Sequence, residues 1–113
     1  MDDSLVGLGL VALGGALGAA TRYAVALVVA TPGGTLVANV AGSLLLGVLA
    51  ARRLPDRLQS FAATGFCSSF TTYSTFTVET LSLSAPAAVG YVLATYALGL
   101  AGAMVGVTLG RRA

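Results

Sequence analysis

The chain has 113 residues, of which 57% are apolar and 9% charged, and its formal net charge is +2. A soluble domain carries about 25% charged residues, so this chain lacks the polar surface to coat a globule and belongs in lipid. The absence of His and the lone Cys67 argue against a zinc or haem site and against an internal disulfide. The few basic residues cluster beside apolar spans, which argues for orientation signals rather than nucleic-acid binding.

Asp2 and Asp3 stand where a cleavable leader would be basic, so no leader is expected. The first span covers about residues 5–30, enough to cross a core of about 30 Å with some tilt. Gly14 and Gly18 form a small-residue step for close helix approach. Arg22 lies in the second half of this span. It either snorkels toward the interface or stands as a buried or vestibule cation beside an anion path.

An uncharged turn, Thr31-Pro32-Gly33-Gly34, leads to a second span at about 35–51. Asn39 is its one strong polar group, with Ser43 one turn further on the same side. In a membrane helix an Asn serves either as glue to a neighbouring helix or as an amide donor toward an anion. Arg52-Arg53-Leu54-Pro55-Asp56-Arg57 is the only charged loop.

The third span covers about 58–83 and carries GFCSSFTTYSTF at 65–76. Ser68, Ser69, Thr71, Thr72, Ser74 and Thr75 put hydroxyls where hydrocarbon would surround an ordinary helix. Such groups must face protein or a water-filled path. We therefore expect a broken helix near 68–72. The milder alternative is back-bonding to carbonyls one turn earlier, which only bends a helix. Glu79 follows on the same span, and an intramembrane carboxylate points to function. It is expected in a vestibule or paired with Arg22.

The fourth span covers about 87–109. Gly102, Gly106 and Gly110 recur every four residues and make a face for tight packing, while Tyr91, Thr95 and Tyr96 supply polar tips. The expected fold is thus an all-α membrane protein, a single domain of four transmembrane helices with the third one broken. Arg52, Arg53, Arg57, Arg111 and Arg112 share one side and the opposite loops carry no charge, which predicts cytoplasmic termini.

The motifs GGALGAATRY at 14–23, GTLVANVAG at 34–42, GFC at 65–67 and TTYSTF at 71–76 resemble, in order and spacing, those of the Fluc/CrcB family of fluoride channels. The resemblance covers nearly the whole chain. It implies a passive fluoride-selective channel in the cell membrane, not an enzyme, built as an antiparallel dimer with two pores at its interface. It places Asn39, Thr72, Tyr73, Ser74, Thr75 and Phe76 on the fluoride pathway, with the aromatic positions 73 and 76 serving different pores. It further implies a structural sodium ion (Na+) at the dimer centre, held by backbone carbonyls of Ser68 and Thr71, and a vestibule or structural role for Arg22.

Three departures stand beside the resemblance. Ser68-Ser69 replaces a Gly-Gly pair, which matters if the break needs positive φ. Tyr73 replaces Phe, and Gly99 and Ala103 stand where the fourth span would carry serines. Many such channels insert in both orientations and pair as homodimers, which requires balanced charge. Five basic residues against none favours a single orientation and a heterodimer with an oppositely oriented relative. Two other classes compete: a four-span proton-coupled drug exporter, which needs a central carboxylate, and a non-conducting packing subunit.

Overall fold

In the computed structural model, which describes residues 2–112, the chain is almost entirely helical. α1 spans Asp3–Val28, α2 Gly33–Ala51, α3 Asp56–Gln59, α4 Ser68–Phe70, α5 Ser74–Ser82 and α6 Ala85–Arg112. A π-helical segment, Ser60–Cys67, joins α3 to α4, so the backbone winds without interruption over 56–70. Among the described residues there is no strand.

Each boundary has a local cause. The Asp2 carboxylate accepts from the Ser4 N–H at 3.0 Å and caps α1. Asp3 in the first turn complements the positive helix end. Val29 turns extended and ends α1. Gly34 then lies so close to the Val29 carbonyl that a side chain there would collide with it. Pro55 precedes α3 and cannot continue the helix before it.

α1, α2 and α6 are each long and apolar enough to cross a membrane. At 1.5 Å per residue they measure about 39, 28 and 42 Å. The predicted first, second and fourth spans correspond to them with ends shifted by about two or three residues, within ordinary fraying. The protein is a multi-pass membrane protein. Its burial agrees: the buried apolar side chains are Ala38, Ala63, Cys67, Phe70, Phe76 and Tyr91, whereas Leu8, Leu27, Val28, Leu81 and Met104 stand exposed. Apolar surface on that scale needs lipid or partner cover.

Packing divides the helices into two parallel pairs. α1 runs alongside 56–70, with Gly14 against the Phe61 carbonyl, Gly18 against Phe66 and Gly65 against Val11. α2 runs alongside α6, with Gly102 facing Val40, Gly106 facing Leu44 and Gly110 facing Val48. The two small-residue faces expected from the sequence are therefore the two seams. Absent side chains let backbones touch, and dispersion replaces side-chain interdigitation. Both described ends and the 52–57 loop share one end, where Arg57 bridges to Asp3 at 3.2 Å.

Candidate functional site

The helical backbone stops after Phe70 and resumes at Ser74. Thr71 is the hinge, with φ −84° and ψ 158°. These are extended values open to any residue, and no described residue has positive φ. Ser68 keeps helical angles, φ −62° and ψ −33°. The expected penalty for serine at 68–69 therefore does not arise, because the turn lies beyond them.

Leaving the helix frees backbone groups, and side chains from two neighbouring helices take them. Asn39 on α2 closes on Thr72 twice: its Oδ1 accepts from the Thr72 N–H at 2.7 Å, and its Nδ2 donates to the Thr72 carbonyl at 3.0 Å. Arg22 on α1 donates through Nε to the Ser69 carbonyl at 3.1 Å. The Thr72 hydroxyl accepts from the Thr75 N–H at 3.2 Å and caps the restarted helix α5. An amide has two N–H groups, so the clasp leaves one Asn39 N–H for another acceptor.

Ser68 and Thr71 are placed differently. The Thr72 N–H that would have bonded the Ser68 carbonyl goes to Asn39, and the Thr75 N–H that would have bonded the Thr71 carbonyl goes to the Thr72 hydroxyl. Among the described residues neither carbonyl has another donor. Two hard oxygen acceptors thus lie unspent at the break.

An open cavity of about 540 Å³ lies against this segment. Asn39, Ser43, Ser68, Thr71, Thr72, Tyr73 and Phe76 line it, together with Thr95 and Tyr96 from α6. Phe76 is 6% exposed and sits among aromatic rings, with centroids 6.0 Å from Tyr73, 5.2 Å from Tyr91 and 6.2 Å from Tyr96, the last edge-on. Tyr73 is 72% exposed.

The expected pathway residues do not all gather here. Thr75 lines a second cavity of about 310 Å³ with Arg22 and Thr35, and Ser74 is exposed and lines neither. Of the two places expected for Glu79, a vestibule or a pairing with Arg22, the pairing is not formed. Arg22 on α1 is turned to Ser69, while Glu79 on α5 faces α6 and accepts from the Tyr91 hydroxyl at 2.9 Å. Back-bonding holds for one member of the hydroxyl set, Thr71, which donates to the Cys67 carbonyl; beyond the set, Thr77 and Thr80 donate in the same way to Tyr73 and Phe76. It does not account for Thr72, whose oxygen is a cap.

Thr95 is the residue that sequence reasoning undervalued. Its Oγ1 is buried without a hydrogen-bond partner, and it faces the larger cavity. One signal was available: Thr95 lies one turn beyond Tyr91 on an otherwise apolar helix, as Ser43 lies one turn beyond Asn39.

The sequence pattern described as "CrcB-like protein, Camphor Resistance (CrcB)" matches residues 9–107. A Halobacterium salinarum protein named fluoride-specific ion channel FluC 2 is 50% identical over 103 residues, 86% of this chain and 80% of its own. Rhodococcus jostii has a FluC 2 that is 46% identical over 108 residues, 88% of this chain and 95% of its own. The same organism has a FluC 1 that is 44% identical over 104 residues, 91% of this chain and 84% of its own. With matches reaching across nearly its whole length, from the Arg22 span through the Asn39 clasp to the glycines of α6, the chain belongs to the CrcB family.

Proposed function

We propose that this chain is a subunit of a passive fluoride channel, a transporter and not an enzyme, working at the break between Phe70 and Ser74. The observation that carries the proposal is the double hydrogen bond from Asn39 to Thr72. It holds non-helical backbone open beside a hydroxyl-lined cavity, in a chain whose relatives are named for fluoride conduction.

Fluoride is small and strongly hydrated, so a path must replace its water with donors that need little rearrangement. The spare Asn39 N–H and the hydroxyls of Thr95 and Thr72 are such donors. The Tyr73 and Phe76 ring edges carry partial positive charge and contact an anion without trapping it. Ser74 and Thr75 lie toward the outer surface and the smaller cavity. They belong to the same pathway only where a second subunit closes it.

In this reading 56–82 forms one interrupted membrane span, and the chain is a single four-span domain. Tyr73 and the exposed apolar side chains are covered by an antiparallel second subunit. Sodium would sit where that axis passes the break. The unspent Ser68 and Thr71 carbonyls suit a hard cation, and the equivalent carbonyls of the second subunit would complete the ligand set. The ion would supply positive charge that fixes the break; the chain itself positions the anion donors. We place the protein in the plasma membrane with cytoplasmic termini. The one-sided arginines and the paired FluC 1 and FluC 2 of Rhodococcus jostii support a heterodimer with an oppositely oriented relative.

The test is fluoride efflux from liposomes followed with a fluoride electrode, with chloride as control, for the chain alone and with such a relative. Fluoride-selective efflux in either arm supports a channel, and the arm in which it occurs decides between homodimer and heterodimer. Proton-driven uptake of an organic cation instead would revive the exporter.

A further inference from the structure

Arg52, Arg53, Arg111 and Arg112 are far apart in sequence but belong to one place in the fold. α2 and α6 run parallel and end together: a Cβ built on Gly110 lies 2.8 Å from the Ala51 Cβ. Arg52-Arg53 immediately follows Ala51, and Arg111-Arg112 immediately follows Gly110. All four are exposed. The acidic neighbours are otherwise engaged or distant from them in role. Asp3 pairs with Arg57, Asp2 caps α1, and Asp56 lies in the first turn of α3. Among the described residues no ion pair engages any of the four.

We propose that the joined C-terminal ends of α2 and α6 form a binding site for anionic phospholipid headgroups. Both helices are long and apolar enough to cross a membrane. Arg52 and Arg53 just past α2, and Arg111 and Arg112 in the last turn of α6, therefore lie at the depth of the phosphate layer. Every basic residue in the chain is arginine, whose planar fork grips a phosphate oxygen pair where lysine offers a point charge. Orientation during insertion needs only positive charge on this side. It does not require two arginine pairs to converge on one helix seam. Basic clusters between helix ends at the membrane surface recruit anionic lipid. The cationic ends also complement two helix C-termini, which carry partial negative charge.

The test uses the purified full chain in neutral detergent with added phosphatidylglycerol or phosphatidylcholine, and bound lipid is read by native mass spectrometry. Phosphatidylglycerol is expected to be retained about tenfold better than phosphatidylcholine. R52Q/R53Q and R111Q/R112Q, made separately, should each weaken that retention about tenfold. Each still leaves three arginines to mark this end during insertion, so failure of one variant leaves the other decisive. R57Q, which removes the residue paired with Asp3, should change it less than about twofold. Equal retention of both lipids, an unaffected pair variant, or an equal loss in R57Q overturns the site. Displacement by inorganic phosphate would reassign it to a soluble anion and overturns the lipid proposal.

Discussion

The seam between α2 and α6 and the break at 71–73 satisfy the same constraint in opposite ways. In the seam every backbone group stays inside its helix, and glycine brings the chains into contact with nothing between them. Gly47 lies against the Ala103 carbonyl, and Gly106 against Leu44. At the break the backbone leaves the helix, and four of its polar groups are taken by Asn39, Arg22 and the Thr72 hydroxyl. The seam is held by the absence of side chains, the break by their presence. Damage to the seam should therefore cost the fold, and damage to the break should cost transport first.

The largest effect is expected in the seam. A Cβ at Gly106 would meet the Leu44 carbonyl, with the Leu44 C and Val48 N at 3.0 Å, all of them backbone atoms that cannot rotate away. Gly106→Val should abolish monodisperse protein in size-exclusion chromatography. Gly90 on the same helix has nothing within 4 Å, so Gly90→Ala should purify like the parent. Equal behaviour of the two variants would mean that the seam does not hold the pair together.

At the break, Asn39→Leu keeps the branched shape and removes both hydrogen bonds. It leaves the Thr72 N–H and carbonyl unpaired, at about 1–3 kcal/mol each. Fluoride efflux should fall about a hundredfold or more, while the protein still elutes as one species because the seams are untouched. Unchanged efflux would separate the clasp from the pathway.

How much of this contrast was legible beforehand follows from what each region is made of. Glycines at i, i+4 and i+8 on a helix announce a seam, because helical periodicity alone puts them on one face. The helix ends were legible for similar local reasons. The hydroxyl density of 68–75 announced an exceptional segment but not its geometry. Asn39 looked like a ligand, yet most of its amide is spent on Thr72, 33 residues away, and only tertiary structure states that. For Glu79 the sequence left two places open, a vestibule or a pairing with Arg22, since opposite charges in lipid attract each other. Ser69 and Tyr91 were closer partners on the elements each side chain actually faces. Thr95 was easy to pass over as one hydroxyl among alanines and leucines, since its importance comes from the cavity opposite it.

A smaller effect is expected where the break meets α6. Tyr91→Phe removes the donor to Glu79 and leaves its carboxylate half-buried with less support. A hydrogen bond to a charged group contributes about 1.5–3 kcal/mol, so efflux should slow about tenfold. Glu79→Gln keeps an acceptor for Tyr91 and should stay within about threefold of the parent. If Gln proves as damaging as Phe, the carboxylate charge matters more than the bond.

The smallest effect belongs to Ser68, and it separates backbone from side chain at the break. Its hydroxyl makes no hydrogen bond among the described residues, and its carbonyl is the unspent group. Ser68→Ala should leave fluoride efflux within about twofold, and, if the proposed sodium site holds, its dependence on sodium as well, because a backbone carbonyl is the same in both residues. Glycine tests the same point from the other side. Ser68 lies in helical backbone at φ −62°, where glycine loses entropy without gaining any needed conformation. Ser68→Gly should therefore lower thermal stability by about 0.5 kcal/mol relative to Ser, and Ser68→Ala should not. A glycine variant more stable than the parent would mean that the chain is strained at 68. The turn at Thr71 would then not be what opens the helix.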